Sequence, residues 1–244
     1  MHRFAQTNLQ LYAQLADLAY PERDLAMVAR CYELSMTLFP GTYRASGKPF
    51  LAHLVGTAGI VAALRARAPV VAAGLLHATY THGEFGNGWL GVSDAKRTRV
   101  RAAVGPEIED LVARYTAFRW ARATIPAIRA QLDAMTALER DVLLIRLANE
   151  LEDHLDLGIL YSGDAPRRLR FMREDLPAAV EMARRLGHPG LAESLAAAFD
   201  QIEHAAISPA LRRREVESFR LPFASHRPRL RVAVSHLLAR SPWH

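Results

Sequence analysis

Strand signals are nearly absent from this sequence. β-Branched residues are sparse, and alternating apolar–polar runs of strand length are missing. Alanine, leucine and arginine dominate instead, and these lose little freedom in a helical turn. Cysteine occurs once, as Cys31, so no intrachain disulfide can form and a reducing compartment fits. No apolar run reaches the roughly 18 residues that a membrane span needs, which excludes a membrane partner of that kind. Met1 to Tyr20 shows neither an apolar stretch after a basic start nor a small-residue cleavage site. The expectation is a cytoplasmic protein. What is present is ample core material: 244 residues, half of them hydrophobic, with a net charge of +6. That suits one large domain, or one domain with an appendage. A basic balance suits nucleic acid, an anionic membrane or phosphorylated small molecules. Here the arginines are spread along the chain, with denser runs at Arg167-Arg168, Arg212-Arg213-Arg214 and Arg227 to Arg231. They read first as a solvated face, which speaks against nucleic acid.

Helical periodicity and punctuation place the elements. Leu11, Leu15 and Leu18 follow the cap Thr7. A second helix opens at Pro21 and stops at Pro40-Gly41. After a polar loop, a third begins near Phe50 with Leu51, Leu54, Val55 and Ala58 inside, and Pro69 breaks it. Val70 to Tyr80 is so uniformly apolar that it predicts a central buried helix. Gly83, Gly86, Gly88 and Gly91 form a loop; Ser93 caps a helix to Val104, and Pro106 starts another. Thr136 and Glu139 spell a capping box for a long helix through Leu144, Leu147, Leu151 and Leu155, ending at Gly158. One helix is expected between Pro166 and Leu186, and another from Leu191 to His204. The proline- and arginine-rich remainder predicts a helix near 209–218 and a short one from Leu230 to Ala239. The expected division is a helical domain over 1–204 and a basic C-terminal extension over 205–244, packed on or beside it.

The chemistry starts from two histidines at apolar positions. His53 follows a polar loop, and His77 ends the most hydrophobic segment of the chain. A lone histidine in such a place is more often a hydrogen-bonded core residue than a ligand. Two of them, each at the end of a buried helix, suit a metal held inside a bundle. Tyr115, Phe118 and Trp120 cluster with Arg114, Arg119 and Arg122, which reads as helix packing before it reads as a base-binding surface.

The stretch Arg44-Ala-Ser46-Gly47-Lys48-Pro49-Phe50-Leu-Ala-His53 resembles the pattern Arg-x-Ser-Gly-x-Pro-Tyr-x-x-His of the HD-superfamily hydrolase domain in the RelA/SpoT alarmone enzymes. Ala72-Ala-Gly-Leu-Leu-His77 resembles the helix leading into that superfamily's His-Asp pair. Val100 to Val112, Leu143 to Leu151 and Ala183 to Phe199 are similar to further family segments in the same order. The resemblance covers about residues 23–200 and implies an all-α, HD-domain-like helical bundle, with the basic C-terminal helical segment as an addition.

The resemblance also implies one divalent metal, usually manganese, and a metal-bound water that attacks the pyrophosphate of a guanosine alarmone. His53 and His77 match metal ligands. The partner aspartate falls at Ala78, the catalytic Glu-Asp pair at Thr81 and His82, and the later aspartate at Asn149. Hard ions favour charged oxygens, so this degenerate site leaves two readings open. In one, the bundle and pocket survive without hydrolysis, as a nucleotide-sensing or protein-interaction module. In the other, the site is rebuilt for zinc or iron with His82 and Glu84 joining His53, His77 and Asn149. That version needs the helix to end by Tyr80, since His77 and His82 do not share a helix face. An iron oxygenase is a weaker form of it, by fold analogy alone. Arg44, Ser46, Lys48 and Asp153 match the substrate-binding side, although Asp153 also sits in an acidic run with Glu150, Glu152 and Asp156 that reads as surface. The expected function is a phosphohydrolase-like protein that acts on or binds a nucleotide or other phosphorylated small molecule. The chemistry leaves a homodimer open.

Overall fold

The computed structural model describes residues 4–86 and 88–221. Its elements, in chain order, are α1 (Asn8–Asp17), α2 (Glu22–Leu38), β1 (Thr42–Tyr43), α3 (Phe50–Ala63), α4 (Ala68–Leu76), α5 (Thr79–His82), α6 (Asp94–Val104), α7 (Pro106–Ala117), α8 (Ile125–Gln131), α9 (Ala137–Leu155), α10 (Gly158–Tyr161), α11 (Ala165–Asp175), α12 (Pro177–Arg185), α13 (Pro189–His204) and β2 (Phe219–Arg220). The fold is an all-α bundle. The caps form where sequence places them: Thr7 closes a capping box with Gln10, Ser93 accepts from the Lys96 amide, and Thr136 closes a box with Glu139. No helix among the described residues is long and apolar enough to cross a membrane.

The centre is α3 against α4. Both are apolar on almost every side, as befits helices walled in by neighbours. α1 and α9 pack on α3, α2 and α7 pack on α4, and α13 joins α9 to α12. α3 and α4 approach closely because Gly74 has no side chain; a Cβ there would lie 3.2 Å from the Ala58 Cα. This close crossing brings the starts and ends of the two helices, and so both histidines, towards one region.

Several expectations need correction. The segment Val70–Tyr80 is not one helix: α4 ends at Leu76, and α5 is a separate turn starting at Thr79. The stretch from Pro166 to Leu186 breaks into α11 and α12, because Pro177 lacks the amide proton that a continuous helix would use. α9 ends at Leu155 rather than Gly158, with Leu157 taking the left-handed conformation (φ 57) and Gly158 opening α10. α8 carried too weak a stripe to be anticipated. Residues 209–218 do not form the expected helix. Pro209–Leu211 is a single 3-10 turn, and the chain then runs without helix, through bends, into β2, which pairs antiparallel with β1. Backbone partners draw it out: Gly163 N–H donates to Glu215 O (2.7 Å), Arg213 N–H to Tyr161 O (2.8 Å) and Leu221 N–H to Gly41 O (3.0 Å). The helix expected at Leu230–Ala239 lies outside the described residues.

Candidate functional site

His53, in the first turn of α3, and His77, just past the end of α4, are both buried, and their Nε2 atoms stand 3.3 Å apart. The far nitrogens are set by their partners. His77 Nδ1 is 2.8 Å from the Gly74 carbonyl, which only accepts, so Nδ1 carries the proton and Nε2 the lone pair. His53 Nδ1 faces the Glu152 carboxylate in the same way. Burial, and then the neighbouring His53 ring, hold the His77 imidazole well below its ordinary pKa. Glu152 is itself only 2% exposed. It reaches His53 from α9 and also accepts from Lys48, whose ammonium makes a second bond of 2.6 Å to Asp156. Burial alone would push Lys48 down, but Glu152 and Asp156 hold it above its usual value. Arg44 grips Asp153, whose carboxyl stays below the ordinary range despite burial because of Arg44 and then His53.

Two cavities flank this network and share Arg44, Thr81, His82, Asp153, Arg167 and Arg168 as a common wall. The Lys48 chamber, about 450 Å³, is completed by Ser46, Lys48, Asp156, Glu217 and Ser218. The His77 chamber, about 560 Å³, is lined by His77, Ala78, Tyr115, Trp120, Arg146 and Phe171, with Asn149 and Glu150 beside them. Burial, then the Asp153 charge, push the Glu150 carboxyl up to about 7. The aromatic–basic cluster read from sequence as packing thus splits. Tyr115, Trp120 and Arg122 face the chamber, Phe118 stacks on Trp120, and Arg114 turns to Asp110.

Residues 37–119 match a family described as a domain of unknown function, DUF6817. Sequence relatives include the GTP pyrophosphokinase rsh of Brucella ovis, 26% identical over 180 residues, with a counterpart in Brucella abortus at the same identity. The probable GTP diphosphokinase RSH3, chloroplastic, of Arabidopsis thaliana is 29% identical over 154 residues. These matches take in 72% and 60% of the chain respectively but only 22% and 20% of the relatives, so the chain spans about a fifth of their length. A solved structure, described as a metazoan ortholog of SpoT that hydrolyses ppGpp, superposes with a TM-score of 0.54 at 19% identity, covering 75% of this chain and 97% of that one. The chain is a relative of the RelA/SpoT proteins. Its fold is that of the metazoan hydrolase.

In this RelA/SpoT relative the donor set does not fit the hard-cation centre that the resemblance implies. The two facing Nε2 atoms are well spaced, since nitrogens about 2.0–2.1 Å from one metal lie roughly 3.4 Å apart at a tetrahedral angle. The carboxylates are what is lacking. Ala78 presents a buried methyl group, and Asn149 turns its amide to Asp153, with Nδ2 3.3 Å from Oδ2. His53, Glu152 and Asp153 do cluster with ligand atoms within 4.8 Å, but Lys48 and Arg44 already neutralise both carboxylates there. Of the other anticipated ligands, His82 lines the His77 chamber and Glu84 does not. His82 lies against Phe50 with its ring centroid 5.2 Å away, and burial, then Arg44 and His53, push it down to about 4. Glu84 is engaged elsewhere: it accepts from Arg220 and from the Gly86 amide, and it lines a third cavity, which His82 also borders but His53 and His77 do not. Arg44, Ser46, Lys48 and Asp153 do meet at one chamber. Sequence reasoning missed Glu152 and Arg146. The signal for both was their place on α9, whose inward stripe also carries Asn149 and Asp153.

Proposed function

We propose that this chain binds a phosphorylated nucleotide across the two chambers and does not cleave it with a metal-activated water. One observation carries the reading. Where the resemblance calls for two metal-binding aspartates the chain has Ala78 and Asn149, and the nearest carboxylates, Glu152 and Asp153, are already paired with Lys48 and Arg44. A site that keeps its cationic, aromatic-lined cavity while losing its anionic ligands is better suited to hold polyphosphate than to hydrolyse it. Ser46 and Lys48 belong to the nucleoside side of such a ligand, and the RelA/SpoT relationship supports a purine nucleotide as its class.

The test is a thermal shift and turnover assay with guanosine diphosphate and guanosine tetraphosphate. Stabilisation that grows with nucleotide concentration, without product release and without sensitivity to EDTA, is the expected result. Release of pyrophosphate that depends on added manganese would overturn it, as would the absence of any shift. A second reading, a softer metal held between the imidazoles, draws on the 3.3 Å Nε2 spacing. It requires about one zinc or iron per chain by elemental analysis of the purified protein, and iron would reopen the oxygenase possibility.

A further inference from the structure

The His77 chamber carries three side-chain donors that meet no acceptor. Tyr115 Oη, Trp120 Nε1 and Arg146 Nε are shielded from solvent, and among the described residues none has a hydrogen-bond partner. All three belong to residues that line the same chamber. A buried donor without an acceptor is costly, and three from the lining of one chamber ask for a common partner. Indole and guanidinium nitrogens only donate, so that partner must be rich in acceptors.

Charge narrows the choice. The Arg146 guanidinium lies 4.1 Å from the centroid of the Tyr115 ring, and among the described residues it makes no ion pair. The other arginines of the chamber are engaged: Arg44 with Asp153, Arg122 with Glu174 and Asp175, Arg167 and Arg168 with Asp164. The remaining acid at the wall is Glu150, whose carboxyl is pushed up by burial and makes no ion pair with Arg146. The Tyr115 ring also packs at 5.0 Å from His77, which fixes the hydroxyl within the wall.

We propose that Tyr115, Trp120 and Arg146 form an anion pocket beyond His77 that takes the phosphoryl or diphosphoryl group of the ligand, with Arg146 as its fixed positive charge. The identity of the whole ligand rests on the nucleotide reading; the anion pocket does not.

Calorimetric titration of inorganic pyrophosphate into the full chain tests it, with guanosine diphosphate and guanosine as parallel titrants. Wild type binds pyrophosphate. Tyr115→Phe binds it several-fold more weakly, yet melts at the same temperature or higher without ligand, because the lost hydroxyl had no partner to lose. Arg146→Met weakens binding roughly 10- to 100-fold, and Arg146→Lys, which keeps the charge but not the Nε donor, falls between. Equal pyrophosphate affinity in wild type and all three variants overturns the pocket, as does no pyrophosphate binding at all. If guanosine diphosphate binds with the variants making no difference, the nucleotide reading stands and the pocket falls. If pyrophosphate binds in an Arg146-dependent way and guanosine diphosphate does not bind, the pocket stands as a site for a free anion and the nucleotide reading falls.

Discussion

Glu152 can reach His53 only because the residue one turn along α3 from that histidine is glycine. A Cβ on Gly56 would stand 2.7 Å from Glu152 Cγ and 2.8 Å from Oε1. Gly56→Ala is therefore expected to destabilise the protein by about 1–3 kcal/mol through overpacking. Glu152→Gln keeps the shape but leaves Lys48 and His53 without their carboxylate, a loss of about 3 kcal/mol at the low end for breaking a buried pair, since Asp156 still holds Lys48. Urea denaturation of both variants checks the two figures. Acid sensitivity belongs to this scale as well. His77, His82 and His154 are all held neutral by burial, so the unfolded chain binds protons that the folded chain refuses. Their contribution is fully present above the unfolded histidine pKa of about 6.5 and is lost as pH falls from there towards 4, where His82 titrates. Glu150 acts in the opposite sense. Its raised pKa favours folding at low pH, and that contribution is lost as pH rises through about 7. Glu150→Gln removes the opposing slope, so its urea midpoint should fall more steeply than wild type between pH 7 and 4.5. A shallower fall would contradict the burial argument. Glu152 also marks where sequence reading stopped. Four acids within seven residues look like a solvated stripe, and nothing local reveals that three of them have basic partners more than a hundred positions away.

α9 sets the register of the site, since Arg146, Asn149, Glu152 and Asp153 all ride on it. Its start is fixed by the Thr136–Glu139 box, legible from four residues of sequence, and Thr136→Ala should cost about 1 kcal/mol in a denaturation experiment. Caps were readable because they are local. Helix breaks were readable where glycine or proline followed an obvious end, and were missed at Pro177, where the apolar stripe runs on across the break. The segment after His204 was misread for the opposite reason. Its composition suggests a helix, but its backbone groups are taken by Tyr161, Gly163 and Gly41, and tertiary pairing overrides propensity. Phe219 anchors it by stacking on Tyr43 with ring centroids 5.6 Å apart, and Arg213 lies over the Phe219 ring. Phe219→Ala should expose the segment to limited proteolysis and weaken ligand binding in the Lys48 chamber, while barely moving the global melting temperature, because little core is attached to it.

At the scale of the molecule, α3 and α4 supply the apolar centre, the bundle closes around them, and the carboxylates nearest the imidazole pair are already neutralised by Lys48 and Arg44. Stability should accordingly be indifferent to chelation: the melting temperature with EDTA is expected to match that with added manganese, and a rise of several degrees with the metal would show that the imidazole pair recruits a cation after all. The bundle itself was evident from the arrangement of helices and the Arg44–His53 stretch. The redistribution of charge around it was not, because substitution of Ala78 and Asn149 is visible in sequence whereas the salt bridges of Lys48 and Arg44 depend on how distant turns of helix meet.

The two-residue ribbon of β1 and β2 joins Thr42 to Arg220, 178 positions further on. Emerging from the ribosome, the chain would complete its helical centre long before Arg220 has been synthesised. The turn that carries Arg44 and Lys48 therefore waits, half framed, until residues 216–220 have emerged, and the Lys48 chamber acquires its walls only after the helical centre.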